Sequence, residues 1–428
     1  MKGIYKTLST NITNIDSLYL KRLINIKYIY QMVSRKELRK IHKYFCKQYS
    51  YKEICLMLAK KLGVEMSLRT LERILQKNNL RRKNIQESDR MHIAAAILIE
   101  LEGSGCNLGY RAMTQRLCKV YKLTVKQKTV LKMLREIDPE GVAGRLRHRL
   151  KRRAYNIKGP NELWGCDGHD KLKRYGFAIH GCIDVWSRKL MWLTAATSNN
   201  NPEIIGYYYL QAIKKYKCLP SILRSDFGTE NTLIKDLQQA LRSGHDDANS
   251  GEKSFLLGKS THNQRIESFW RQLKRLMGSF YMNLFKTMMD NGILDIKNPM
   301  HIECLRFSFG ELVQQDLYNV RKEWNDHRIR NQNSLNIRGG KPNILFNCPE
   351  RFGGVDCKKS VLMEHIELLE KNYIHVTPKL YDPQMDEFVK LLMPNFIKPV
   401  TAEDAYELYC DLTEKITSIT KDSHEDCS

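Results

Sequence analysis

The stretch Ala178–Ala195, AIHGCIDVWSRKLMWLTA, decides the fold class. Its branched and aromatic residues fall in two short runs, Ala178–Val185 and Lys189–Ala195, parted by Trp186 to Arg188. Runs of that length and composition read as strands. Leu163–Asp167 is a similar run upstream, and Ser221–Ser225 a short apolar one downstream. Between them Pro202–Tyr216 has the helical period, with Ile204, Tyr208 and Ile213 inward. Gln264–Met277 repeats that period and sets Ile266, Phe269, Trp270, Leu273 and Met277 on one face. Cys304–Asp326 is a further helix. Strands followed by alternating helix and strand predict a layered α/β (α+β) domain. All five Trp lie between positions 164 and 324, which puts the main core there.

The first third is helical and repeats itself. Ser50 to Leu80 reads as helix, turn, helix: Ile54, Leu58 and Leu62 line the first helix and Gly63 closes it. Ser67 is placed to cap the second, which carries Leu71, Ile74 and Leu75. Shifted by 59 residues the pattern recurs, with Tyr51 meeting Tyr110, Leu58 Leu117, Thr70 Thr129 and Leu75 Leu134. Thr124 and Gln127 stand at capping-box spacing in the second copy. Two tandem helix-turn-helix units are predicted, each offering its second helix to a major groove.

Charge sharpens this reading. The chain carries 71 Lys plus Arg against 47 Asp plus Glu, a net of +24. Residues 1–160 hold 36 basic and 12 acidic residues, the whole excess, which leaves 35 of each in 161–428. So localised a field predicts a polyanionic partner, most simply DNA or RNA. A membrane is the weaker partner, because no uncharged apolar run approaches the roughly 20 residues of a span and no basic amphipathic helix stands out. No signal peptide is legible, and Met32 offers a second start. The 12 Cys show neither CxxC pairing nor a Cys/His cluster at ligand spacing, so reduced thiols are expected and zinc is not. The predicted organisation is an extension (1–33), the tandem helix-turn-helix region (34–143), a basic linker (144–160), a core (161–335), and a helical region with an acidic tail (336–428). The linker bears Arg145, Arg147, Arg149, Lys151, Arg152 and Arg153, which suit phosphate contact or a nuclear localisation signal.

Three acids sit where a metal site would use them. Asp167 closes the first strand, Asp226 follows Ile222–Ser225 ahead of a turn at Gly228, and Glu267 lies on the polar side of the 264–277 helix. Cleaving and joining polynucleotides requires an activated attacking oxygen and a neutralised leaving oxygen. Two Mg²⁺ ions about 3.5–4 Å apart, held by carboxylates, meet both needs. Singly, each acid reads as a solvated surface residue.

The acids stand inside four local motifs: Trp164-Gly165-Cys166-Asp167, then Ile183-Asp184-Val185-Trp186-Ser187-Arg188, then Arg224-Ser225-Asp226-Phe227-Gly228-Thr229-Glu230-Asn231, then His262-Asn263-Gln264-Arg265-Ile266-Glu267-Ser268-Phe269-Trp270. In this order they resemble the retroviral-type integrase core, a ribonuclease-H-like mixed sheet flanked by helices that carries a D,D,E triad. The chain looks most similar to transposon-derived, Ginger-like integrases and transposases, over roughly 90–350.

The resemblance implies a DNA integrase or transposase that performs metal-dependent 3′-end cleavage and strand transfer. Asp167, Asp226 and Glu267 would hold two Mg²⁺ ions (Mn²⁺ substituting), Asp167 bridging both and the other two binding one each. No organic cofactor is implied, and a homo-oligomer would hold two DNA ends in the nucleus. Gly228 and Asn231 match a turn lining the target strand, and Asn263 a mobile loop before the catalytic helix. Arg271 and Lys274, four and seven residues past Glu267, would grip DNA phosphates, or form a solvated helix face. Structural roles suit Asp184 and Arg188.

The chain also departs from that pattern. Forty residues part Asp226 from Glu267, and the extra length, with Asp246 and Asp247, reads as a flexible insertion. The retroviral zinc-binding domain is replaced by the helical repeat, and no strand cluster follows position 340. Three rivals remain. One is a tyrosine recombinase using His327, Arg330 and Tyr373. Another is a domesticated, catalytically silent DNA-binding protein. The third is a nuclease without strand transfer.

Overall fold

The computed structural model describes residues 34–47, 49–80, 86–144, 157–258, 263–331 and 339–425. The basic linker residues Arg145, Arg147, Arg149, Lys151, Arg152 and Arg153, and His262, lie outside them. Contacts divide the chain into two compact units, 1–83 and 84–428.

In the first unit three helices follow one another: α1 (Arg35–Cys46), α2 (Tyr51–Leu62) and α3 (Leu68–Lys77). Their starts are written locally. Ser34 with Glu37, and Ser50 with Glu53, form full capping boxes, and Ser67 accepts from the Thr70 amide. Each such cap contributes about 1 kcal/mol. Gly63 ends α2 at φ +66°, a left-handed conformation that costs other residues a Cβ clash. Ile41, Ile54, Leu58, Leu71 and Leu75 make a small buried core, and Tyr44 stacks on Tyr49 at 5.4 Å. The repeat is therefore a three-helix one, each predicted pair being preceded by a helix.

The second copy opens the second unit as α4 (Arg90–Glu102), α5 (Tyr110–Lys119) and α6 (Gln127–Ile137), around Ile93, Ile97, Met113, Leu117, Val130 and Leu134. The capping box expected of Thr124 and Gln127 does not form. Lys126 is the N-cap and makes no side-chain cap bond. The Thr124 amide instead donates to Ser88 Oγ (2.9 Å) and Thr129 Oγ1 to Glu87 (2.7 Å), so the preceding segment satisfies these groups. Arg116 of α5, almost fully buried, donates to Glu100 of α4 (2.8 Å) and to Glu323 (3.3 Å) on a long helix of the sheet domain.

The sheet comprises β1 (Leu163–His169), β2 (Ala178–Asp184), β3 (Leu190–Ala196), β4 (Ile222–Ser225) and β5 (Phe255–Leu257), in the order β3-β2-β1-β4-β5. β1–β2 and β2–β3 are antiparallel, while β1–β4 and β4–β5 are parallel. Pleating sends alternate side chains to opposite faces, and both faces are buried. Ile179, Ile183, Leu190 and Leu193 pack against helices α9 (Gln264–Leu273), α10 (Ser279–Asp290) and α11 (Pro299–Asp326). Trp164, Cys166, Cys182 and Trp192 pack against α7 (Pro202–Tyr216) and α8 (Thr232–Arg242). This is the predicted mixed sheet flanked by helices, with an all-helical region before it.

Two expectations are corrected. The segment 232–258 is ordered structure, not a flexible insertion. It holds α8 and β5, with Ile234 and Leu237 buried. Arg242, fully buried, donates to both oxygens of Asp247 (2.8 and 2.7 Å), which also meets Lys359 at 2.9 Å. Asp247 is thus a structural anchor, and those cations hold its carboxyl well below the usual carboxylate range despite burial. The predicted helix 264–277 is α-helical only to Leu273, and Lys274–Gly278 form a π-turn before α10. The region after 340 is built of helices, beginning with α12 (Pro342–Asn347). Ile366 of α13 (Met363–Tyr373), Val389 of α14 (Gln384–Leu392), and Tyr409 and Leu412 of α15 (Ala402–Glu425) belong to the two sheet cores. Among the described residues no helix is long and apolar enough to cross a membrane.

Candidate active site

Strand pairing brings the first two acids together. β1 and β4 run parallel with Gly165 opposite Arg224. Asp167 and Asp226 each lie two residues further on, so both emerge at the same edge of the sheet. Glu267 sits in the first turn of α9, which packs across β1 and β2.

Two hydrogen bonds clamp that helix to the strand. Asn263 Nδ2 donates to the Cys166 carbonyl at 2.8 Å, and the Trp270 indole N–H donates to Asp167 Oδ2 at 2.8 Å. Two glycines make room for the clamp. A Cβ on Gly165 would meet Asn263 Oδ1 at 2.4 Å, and one on Gly181 would meet the Trp270 ring at 2.8 Å. His169, two residues past Asp167, stacks on Trp270 at 4.9 Å. Burial lowers the His169 pKa to about 4, so a neutral imidazole backs the indole. On the other strand, Asn231 Nδ2 (3.0 Å) and the Gly228 amide (3.4 Å) donate to Asp226 Oδ1. Phe227, between them, is 67% exposed.

The acids feel one another. Burial pushes the Asp167 carboxyl up to about 7; the Trp270 bond opposes this, and the charges of Glu267 and Asp226 add to it. Glu267 is raised by burial and Asp226, and lowered by Arg271. Among the described residues no three His, Cys, Asp or Glu side chains are poised around one point as they stand. The convergence is one of like charges at one sheet edge.

The other predicted site residues divide. Arg271 and Lys274 are exposed, and the influence of Arg271 on Glu267 puts the two together. Asn263 and Asn231 are both buried, at 4% and 3% exposure, and their amide nitrogens donate within the protein. Asn263 ties helix to strand and Asn231 holds Asp226. Asp184 is fully buried and accepts from the Asn161 and Ser187 amides, both at 2.7 Å. Arg188 follows it at φ +61° in the β2–β3 turn. Tyr373 ends α13 and does not line the recess that holds His327 and Arg330.

Sequence reading placed Trp270 only in the core and passed over His169. One signal existed: a buried indole N–H needs an acceptor, and Asp167 is the carboxylate within its reach. Trp270→Phe keeps the stacked ring and loses the donor. Because that bond lowers the Asp167 pKa, the carboxyl is expected to titrate higher in the variant than in the parent, as read by carboxyl NMR across pH.

Residues 154–338 match the family model described as integrase core domain. Among solved structures, the chain is similar to the cryoEM structure of the simian T-cell lymphotropic virus intasome in complex with PP2A regulatory subunit B56 gamma. The identity is 17% over 59% of this chain and 73% of that one, with a TM-score of 0.30. No curated protein matches the chain.

Proposed function

We propose that the integrase-type domain at residues 154–338 is a metal-dependent DNA strand transferase that works through Asp167, Asp226 and Glu267. The observation that carries this reading is the register-matched pair Asp167 and Asp226 with Glu267 on the helix packed across them; burial pushes the Asp167 carboxyl up to about 7, and the charges of Glu267 and Asp226 add to the rise. Three hard-oxygen donors that repel one another fit a divalent cation, which relieves the crowding. Asp167, Asp226 and Glu267 would together hold Mg²⁺ or Mn²⁺ ions. Such ions activate an attacking oxygen and neutralise a leaving one.

The chain's own residues do the rest. Trp270 and Asn231 each hold one oxygen of an aspartate and so set the direction of the other. Arg271 and Lys274 flank Glu267 and would bind backbone phosphates of an element end. Water first breaks the P–O bond at that end and leaves a 3′-hydroxyl. That hydroxyl attacks a target phosphodiester in line, and the displaced 3′-oxygen leaves with a proton. No covalent link to the protein forms, so no Ser or Tyr nucleophile is needed.

DNA contact outside the domain is assigned to the third helix of each repeat, the second of each predicted pair. α3 exposes Arg69, Arg73 and Lys77, and α6 exposes Lys128, Lys132 and Arg135, each set along one side of its helix. Their excess charge predicts binding that weakens steeply with salt. A homo-oligomer holding two ends, nuclear residence and a transposon origin of the Ginger kind complete the proposal.

The test is a strand-transfer assay on supercoiled plasmid with short candidate-end duplexes in Mg²⁺ or Mn²⁺. Joined product establishes the reading. Nicking without joining favours a nuclease. Salt-sensitive binding with no reaction favours a catalytically silent DNA-binding protein.

A further inference from the structure

Beside the catalytic edge of α9 lies a recess of about 400 Å³, within the roughly 300–1,000 Å³ range of small-ligand pockets. α5, α9 with its π-turn, the β2–β3 turn and the segment leaving α11 enclose it. Its charge is one-sided. Among the described residues, Arg188, Arg265, Arg275, Arg328 and Arg330 line it beside one carboxylate, Glu323, which Arg116 engages at 3.3 Å. Its floor is apolar and partly aromatic, from Ile183, Phe269, Leu276 and Trp324.

The walls are held in place. Trp324 Nε1 donates to the Arg188 carbonyl at 2.7 Å. Ile329 bridges Gly340 through two backbone bonds of 2.8 and 3.0 Å, which fixes the strand end bearing Arg328 and Arg330. Arg275 Nη2 rests on Gln272 at 2.8 Å. The His327 ring meets Trp324 at 4.5 Å in a tilted arrangement, and burial, with Arg188 and Lys119 nearby, pulls its imidazole pKa below the ordinary value.

We propose that this recess binds a nucleotide, its phosphate held by the arginine forks and its base on the aromatic floor. Guanidinium forks match phosphate oxygens two at a time, and an apolar floor beneath them suits a flat ring. Laying its face on that floor takes a base out of a duplex stack, so the nucleotide assigned here is unpaired. Its position names the source. Arg265, Ser268 and Gln272 share one side of α9, and Glu267 and Arg271 lie roughly 110° round the helix from it. A strand leaving the catalytic side reaches the recess by crossing that arc. This rests on the proposed DNA chemistry; a free mononucleotide is the other source of the same ligand.

The experiment uses the full chain in EDTA, so that binding is read without reaction. Fluorescence anisotropy compares a short blunt duplex, the same duplex with a single-stranded overhang, and displacement of the overhang duplex by ADP. The wild type is expected to prefer the overhang. Arg275→Ala with Arg330→Ala is expected to weaken overhang binding about tenfold, blunt binding less than twofold, and the salt slope by about 0.7 for the one lost phosphate contact. Arg275→Lys with Arg330→Lys should recover the slope and part of the affinity. Displacement by ADP assigns a mononucleotide; none assigns a strand. Equal losses on both duplexes, or none on either, overturn the recess as a nucleotide site while leaving DNA binding intact. Failure of the wild type to bind any duplex removes the proposed function and this site together.

Discussion

Asp167→Asn is expected to reduce joined product at least about a thousandfold, equivalent to about 4 kcal/mol of barrier. The amide is the same size, and its oxygen still accepts from Trp270 Nε1, which donates to Asp167 Oδ2 at 2.8 Å in the parent chain. What it loses is the negative charge that would hold the ions. The fold should survive, and the pH dependence of stability tells why. Burial pushes the Asp167 carboxyl up to about 7, whereas an unfolded Asp titrates near 3.9. The folded chain therefore binds this proton more tightly, so stability is lost as pH rises from about 4 through about 7. The amide does not titrate, so the melting temperature of the variant should gain on the parent across that window. Added Mg²⁺ should reverse the order at neutral pH, raising the parent and not the variant, because only an ion bound to the folded state stabilises it. Wild-type levels of joined product from the variant would remove Asp167 from the site.

Arg116→Met should destabilise the second unit by about 3–5 kcal/mol, the usual result of removing one partner from a buried ion group. Arg116 joins Glu100 and Glu323, at 2.8 and 3.3 Å, with all three side chains at most 10% exposed. Burial opposes its charge, yet Glu323 and Glu100 hold its pKa above the ordinary value. Without it, two carboxyls remain in a dry site. Burial already raises Glu323, and Arg116 is the chief influence lowering it. Its folded pKa then rises further, so the destabilisation should be smaller near pH 5 and larger near pH 8. Urea unfolding at the two pH values measures this. Arg116→Met with Glu100→Leu and Glu323→Leu should recover most of the loss, because an apolar cluster needs no partner. A pH-independent loss would mean that packing, not charge, joins α5 to α11.

Much of this molecule is readable in a linear chain. The caps at Ser50 and Ser67, the left-handed Gly63 and the helix Pro202–Tyr216 arise from residues a few positions apart, and they fold as written. The acids Asp167, Asp226 and Glu267 stand out through their flanking motifs. Where the reading failed, a distant partner overrode local composition. The stretch around Asp246 and Asp247 looks like a loop, and its order comes from Arg242 and Lys359 meeting Asp247. Thr124 has cap spacing, but Ser88, 36 residues away, engages its amide.

The sequence by itself determined the periods, caps, localised positive charge and positions of the acids, since each is a property of neighbours along the chain. Only the tertiary structure decided that Asn263 is a tether, that Trp270 orients Asp167 across 103 residues, and that Arg116 reaches Glu323 across 207. The physical reason is that a buried polar group must find a partner wherever the packed chain offers one, and sequence spacing does not encode which residue that is.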